Sequence, residues 1–391
     1  MLIDTRLAER IKNIHPSTTL AITSKAKRLK SEGKDVVNLA AGEPDFDTPG
    51  FIKQAAIEAI QKGCTKYTPS TGIPDLKKLI IEKFKRDNAL TYEPAQIVVS
   101  CGAKHSIFNT LLCLINKNDE VLIPEPYWVS YPEMVRVCEA KPRFIKTSAD
   151  QDFKITPDSL NRHITTKTKA LILNSPSNPT GCVYSKEELV EIARICVEKK
   201  IFVISDEIYE NLIYDGLRHI SIAALGEDIY NFTVTVNGLS KSHSMTGWRI
   251  GFLGAPLPIA EAISNLQDHS TSNPCSISQY AAVAALSTQD DFIRQMLGEF
   301  QKRRDYVISR LQGMEKLSVV IPRGAFYVFC GIKKTKLDSQ TFASRLLEES
   351  LVALIPGDGF GRNDHIRLSF ATSMEQLAKG LDRLNNWLKN I

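Results

Sequence analysis

Residues 169–181 read KALILNSPSNPTG, residues 201–209 read IFVISDEIY and residues 232–241 read FTVTVNGLSK. Each is a short apolar, β-branched run that breaks off into polar residues. Such β-branched runs, bounded by turn residues, describe strands. Working outward, comparable runs occur at Ile97-Val98-Val99, Val121-Leu122-Ile123 and Ile250-Gly251-Phe252-Leu253. Segments with helical spacing separate most of them. Between Ser185 and Glu198, Leu189, Ile192, Ala193 and Cys196 share one face, Ser185 stands as an N-cap and Glu188 completes a capping box. Strand–helix alternation of this kind predicts an α/β fold with a mostly parallel wound sheet.

The end of the chain has a different rhythm. Helical segments around 291–313, 339–350 and 373–389 surround short strands near 325–330 and 365–370, which predicts a smaller α+β domain. The first 48 residues hold one amphipathic helix and a loop, too little to fold alone. The expected division is therefore 1–48, packing on the small domain or a second subunit; 49–290, the large domain; and 291–391, the small C-terminal domain.

Composition excludes several classes. With 391 residues, 43% apolar and 24% charged, the chain has enough apolar content for packed cores and is not a disordered polymer. A net charge of +5, without a basic cluster, argues against nucleic acid. No apolar run suits a membrane span and MLIDTRLAER lacks a secretory apolar segment, so a cytoplasmic location is expected. The eight cysteines include no CxxC, and the seven histidines show neither HExxH nor paired spacing; reduced, mostly buried thiols and no metal are expected.

In a wound sheet, ligands bind beyond the carboxyl ends of the strands. Asn178, Asp206, Tyr209 and Lys241 all follow such ends. Taken singly each has a plain reading: NPTG is a good turn, an Asp after a strand is a common cap, and a lone Lys is usually a solvated charge. The joint pattern, with Arg249 eight residues after Lys241, asks for more. A lysine that forms a Schiff base must be desolvated or lie beside cations to lose its proton. A pyridine ring that stores electrons needs a carboxylate at its nitrogen, the demand of pyridoxal 5′-phosphate. Its phenolate oxygen needs donors such as Asn178 and Tyr209. Its phosphate needs a helix start, here Gly102-Ala103-Lys104, and an arginine fork, here Arg249.

The strings GEPDFDTP (42–49), YTPSTGIPDL (67–76), PYWVSYPEM (126–134), NSPSNPTG (174–181), SDEIYE (205–210) and SKSHSMTGWRIG (240–251) occur in this order. Over nearly its full length the chain resembles a class I/II aminotransferase of pyridoxal-phosphate fold type I. The resemblance implies that Lys241 is the Schiff-base lysine and proton shuttle, that Asp206 pairs with the pyridinium nitrogen, and that Asn178 and Tyr209 hold the phenolate oxygen. It further implies that Trp128 stacks on the ring and that the Ala103 and Lys104 amides, Ser240 and Arg249 contact the phosphate, with Tyr67 reaching it from a partner subunit. Arg367, in IRLSF, resembles the arginine that clamps the substrate α-carboxylate, and Gly42 is expected to leave room for a backbone contact to the same group. A homodimer and ping-pong kinetics follow from the same resemblance.

Within the family, PYWVSYPEM and GIPDL look like the prokaryotic-type aspartate aminotransferases. That subgroup associates Lys104 and Thr19 with dicarboxylate substrates, so aspartate and 2-oxoglutarate are the expected pair. Independently, a cation in the first turn of a helix opposes the macrodipole, and an acidic substrate is one reason to keep it there. Members using prephenate tend to carry Lys or Arg where this chain has His15. A glutamate/aspartate-prephenate or broad aromatic aminotransferase, a β-lyase on the same cofactor and a non-catalytic binding module are the rival readings; the intact Lys241 opposes the last. Gly357-Asp358-Gly359-Phe360-Gly361 imitates a dinucleotide fingerprint but lacks the helix pattern after it. Glu207 reads as a solvated or supporting charge, not a catalytic acid.

Overall fold

The apolar runs become strands in the computed structural model, which describes residues 7–12, 14, 18–288 and 291–391. A two-residue strand, β1 (Val37–Asn38), precedes the main sheet. That sheet contains β2 (Ile97–Ser100), β3 (Glu120–Glu125), β4 (Lys141–Lys146), β5 (Thr168–Asn174), β6 (Phe202–Asp206), β7 (Thr233–Gly238) and β8 (Gly251–Gly254). Its order is β2-β8-β7-β6-β5-β3-β4. Every pair from β7 through β4 is parallel, and β8 runs antiparallel to both its neighbours. The register sets Asn174 beside Asp206, and Asp206 beside Val236, so the polar ends of β5, β6 and β7 meet at one edge.

Helices cover both faces. On one, Ile107 and Leu111 pack with Ile172, Ile204, Val234 and Val236. On the other, Leu189, Ile192 and Cys196 pack with Leu171, Leu173 and Val203. The helix that carries them, Lys186–Glu198, opens with the expected box: the Ser185 hydroxyl accepts from Glu188 N at 3.3 Å, and Glu188 accepts from Ser185 N at 2.7 Å.

The C-terminal strands are β9 (Ser318–Val319), β10 (Tyr327–Gly331), β11 (Val352–Ala353), β12 (Ile355–Pro356) and β13 (His365–Ser369). Four form an antiparallel sheet of order β12-β13-β10-β9, and β11 pairs in parallel with β1. Helix Thr18–Ser31 lays Ile22, Ala26 and Leu29 against Phe329, Ala343, Leu347 and Ile355. The N-terminal segment thus buries its apolar face on the C-terminal part of its own chain. Gly357–Phe360, the imitation fingerprint, is a single 3₁₀ turn, and Tyr127 N donates to Phe360 O. Among the described residues no helix is long and apolar enough to cross a membrane. All eight thiols are free, but only Cys182, Cys196 and Cys330 are buried, fewer than composition suggested.

Candidate active site

Beyond the carboxyl ends of β5, β6 and β7 lies a cavity of about 420 Å³. Its wall includes Gly42, Ala103, Lys104, Trp128, Asn178, Asp206, Tyr209, Ser240, Lys241, Arg249 and Arg367. Eleven residues separated by up to 325 positions in sequence are brought together because the wound sheet delivers strand ends to one edge and β13 closes over them. One described candidate from the sequence is not on this wall. Tyr67 is 93% exposed and projects away from its own chain. Thr19 lies in helix Thr18–Ser31, but its side chain, like His15, is outside the described residues. Thr23, one helical turn further on, does line the cavity.

Lys241 follows β7, and its Nζ donates to Gly42 O at 2.6 Å. Burial lowers its pKa to about 8, with Arg367 and Arg249 pushing the same way against Glu43 and Asp206. An amine near 8 can both lose and regain a proton at neutral pH, as a lysine that attacks a carbonyl and shuttles protons must. Asp206 ends β6. Burial raises its pKa to about 6, while hydrogen bonds from the Tyr131 hydroxyl at 2.6 Å and Ile208 N at 3.3 Å hold it down. It therefore remains an anion at neutral pH, on the cavity wall.

Helix Ala103–Leu114 begins without a side-chain cap. His105 N and Ser106 N donate to Gly102 O, which leaves the amides of Ala103 and Lys104, both on the cavity wall, at the positive end of the macrodipole. Gly102 has φ +90°, and a Cβ there would meet Arg249 Nη2 at 2.3 Å; on Gly251 it would meet Ala103 N at 2.1 Å. Glycine at both places lets the guanidinium and the β8 backbone approach the helix start, forming a cradle for an anion. Arg249 is held by Thr246 O at 2.7 Å and Cys101 O at 3.3 Å. Lys104 Nζ sits 4.9 Å from the Trp128 ring centroid, and burial beside Arg249 lowers its pKa.

Arg367 comes from β13. Its guanidinium lies 4.3 Å from the Tyr327 ring and 5.2 Å from Phe360. It donates to Asn178 Oδ1 at 3.0 Å and Ala40 O at 3.1 Å, while its buried Nε has no hydrogen-bond partner. A buried cation with an unused donor is an anion site in waiting. Tyr209 and Tyr327 share a hydroxyl contact of 2.9 Å. Gly42 lines the cavity, and against the protein itself a Cβ there would meet only Tyr327 Oη, at an ordinary 3.9 Å.

Sequence reading missed several contributors. Tyr131 stands three residues after Trp128, within a string already singled out. Asn174 Nδ2 donates to Asp206 O at 2.9 Å, and its Oδ1 accepts from Asn178 N at 2.8 Å, which ties two cavity residues together. Glu207 is not solvated. It is 1% exposed and accepts from Ser205, Ser221, His219 and Asn88. With Glu210 and His219 it forms a trio of metal-ligand type, but the Lys83 ammonium contacts Glu210 and supplies the positive charge.

Pyridoxal phosphate requires a proton-losing amine, an anion for its ring nitrogen, donors for its ring oxygen and an anion cradle; Lys241, Asp206, Asn178 with Tyr209, and the 102–104 helix start with Ser240 and Arg249 fit these four demands. When bound, it supplies an electron-withdrawing ring and an aldehyde able to hold an amino group between donor and acceptor. The chain's own part is an amine of lowered pKa at Lys241, an anion at Asp206 and a buried guanidinium at Arg367, all on one cavity wall.

The family model for class I and II aminotransferases matches residues 34–384. An aspartate aminotransferase of Bacillus sp. (strain YM-2) is 49% identical over 388 residues, covering 98% of this chain and 99% of that one. An aspartate/prephenate aminotransferase of Nitrosomonas europaea is 44% identical over 98% of this chain and all of its own. The structure of Thermus thermophilus aspartate aminotransferase with maleate superposes with a TM-score of 0.94, at 41% identity, over 97% of this chain and 99% of that one. The chain belongs to the class I and II aminotransferases. It is a pyridoxal-phosphate-dependent transaminase of fold type I, acting on amino acids and 2-oxo acids by the ping-pong scheme general to that family.

Proposed function

We propose that this transaminase moves the amino group of aspartate to 2-oxoglutarate in the cytoplasm, working as a homodimer. The observation that carries the substrate reading is the surplus of cations on one cavity wall. Arg249 is committed to the phosphate cradle and Lys241 to the amine, which leaves Arg367 and Lys104 for the substrate. A monocarboxylate needs one of them; a dicarboxylate uses both. The relatives named for aspartate, and the Thermus structure with maleate, itself a dicarboxylate, support the same reading.

The shared cavity wall supports these site roles: Lys241 as the catalytic amine; Asp206, Asn178, Tyr209 and Trp128 around the ring; the Ala103 and Lys104 amides, Ser240 and Arg249 at the phosphate; Arg367, Asn178 and the backbone at Gly42 at the α-carboxylate; and the Lys104 side chain at a second carboxylate. Exposed Tyr67, with exposed Ile57 and Ile60 on helix Gly50–Gln61, supports a dimer in which Tyr67 of the partner subunit reaches the phosphate. The divisions 1–48, 49–290 and 291–391 follow the same packing logic.

A donor-by-acceptor panel with purified protein tests the substrate reading. Aspartate with 2-oxoglutarate should give the highest kcat/KM; a clear preference for phenylalanine or tyrosine would refute it. Prephenate belongs in the panel because the Nitrosomonas relative is named for it. Pyruvate and ammonia appearing without transfer of the amino group would mark a β-lyase instead.

A further inference from the structure

We propose that Tyr131 is a positioning residue that fixes Asp206 and Trp128 in one arrangement, the first through its hydroxyl and the second through its ring. The inference rests on the assignment of Asp206 to the cofactor's ring nitrogen. Tyr131 lies in the first turn of helix Ser130–Val137, and its amide donates to Trp128 O at 3.0 Å. Its ring meets Trp128 edge-on, with centroids 5.3 Å apart and planes at 83°. Its hydroxyl donates to Asp206 Oδ2 at 2.6 Å. Only 2% of the residue is exposed, so no water competes for that bond from bulk.

The phenol suits this task because it stays protonated. Burial and the Asp206 charge push its pKa well above the ordinary tyrosine value, so it donates throughout the working range. A donor that cannot ionise holds a carboxylate in one rotamer without neutralising it. The second oxygen, Oδ1, takes Ile208 N, which fixes the plane of the carboxylate. The other ionisable groups acting on Asp206 are Glu207, which disfavours its charge, and Lys241, which favours it; the Tyr209 phenol feels the same carboxylate. Helix Ala103–Leu114 meets β6 through Ile107 and Leu111, which are apolar. Tyr131 is thus the one hydroxyl donor to Asp206 among the described residues.

The test is cofactor affinity of the cofactor-free protein as a function of pH, read by quenching of tryptophan fluorescence on titration with pyridoxal 5′-phosphate. Tyr131→Phe removes one oxygen and keeps the ring against Trp128, and a thermal melt confirms folding. In the parent, affinity should fall as pH drops through about 6, where Asp206 takes a proton. Loss of the donor favours the neutral carboxyl, so the Tyr131→Phe midpoint should lie higher by about one pH unit, the equivalent of a charge-assisted bond. The phosphate and Lys241 titrate alike in both proteins and cancel in the comparison. Asp206→Asn abolishes the carboxylate, and adding Tyr131→Phe to it should then shift nothing further. An unchanged midpoint in Tyr131→Phe, or a shift that persists in the Asp206→Asn background, overturns the inference. Asp206→Asn behaving like the parent would instead overturn the assignment of Asp206 itself.

Discussion

Lys241 and Asp206 are both forced away from their ordinary pKa values by burial, toward neutrality from opposite sides: the amine to about 8, the carboxyl to about 6. Between these values the cavity holds an anion at Asp206 and an amine at Lys241 that is part neutral. Capture of pyridoxal phosphate by the cofactor-free protein should therefore accelerate roughly tenfold per pH unit up to about 8 and level off above it. Stopped-flow absorbance measures this; a rate that climbs unabated to pH 10 would show an unshifted lysine. Reduction with borohydride followed by peptide mapping should place the cofactor on Lys241, and Lys241→Ala should retain almost no turnover. Asp206→Asn keeps the side-chain size and removes the charge. Breaking a buried ion pair costs about 3–5 kcal/mol, so turnover should drop about 10²- to 10⁴-fold; a variant within threefold of the parent contradicts the role. These residues were legible in sequence because each follows the end of a buried strand, where a polar residue has no packing reason to be. Tyr131 was not, because a tyrosine in an apolar helix start looks like core, and only the fold shows that its hydroxyl meets Asp206 from 75 residues away.

At the scale of elements, helix Pro74–Asn88 reaches the loop after β6 through charge rather than apolar contact. Lys83 and Asn88 leave the helix and meet Glu210 and Glu207, and His219 closes the group at 2.8 Å from Glu207. Lys83→Met would leave Glu210 buried beside a second carboxylate, sharing with it the single positive charge of His219. Its urea midpoint should fall by the equivalent of about 3–5 kcal/mol; no loss of stability would show that the network is slack. Burial opposes the His219 charge, but the Glu207 contact outweighs it and the net pKa is raised; Glu207, also opposed by burial, ends lowered. A raised histidine stabilises fully below its unfolded value of about 6.5 and loses that contribution as pH rises through the folded pKa. A lowered carboxylate loses its contribution as pH falls through its own. The stability gap between the parent and His219→Gln should thus be widest between those two values and narrow above the His219 pKa. A gap independent of pH would contradict the ion pair. The sequence hid this network because its partners lie on three separate segments. It also hid β4, where KPRFIK buries only Ile145 and mixes charge into an edge strand, and the antiparallel sense of β8, which no periodicity encodes.

At the scale of the molecule, the site is a seam. The wound sheet supplies Lys241, Asp206 and the helix start, while β13 brings Arg367 and the N-terminal segment brings the backbone at Ala40 and Gly42. The β1–β11 pairing and the helix Thr18–Ser31 contact tie that segment to the β13 layer, so both move with Arg367 if the seam opens. The seam also sorts the two cations proposed for the substrate by origin. Arg367, buried between aromatic rings, suits the carboxylate that all amino acids share. Lys104, at the helix start over Trp128, is available to a second carboxylate. Arg367→Ala should damage every substrate together, whereas Lys104→Ala should be selective. The most direct measurement is the ratio of kcat/KM for aspartate to that for phenylalanine, in the parent and in Lys104→Ala. One charge-assisted bond is worth about 1.5–3 kcal/mol, so the ratio should fall about 10- to 150-fold in the variant. An unchanged ratio would contradict the assignment of Lys104 to a second carboxylate and, with it, the choice of aspartate.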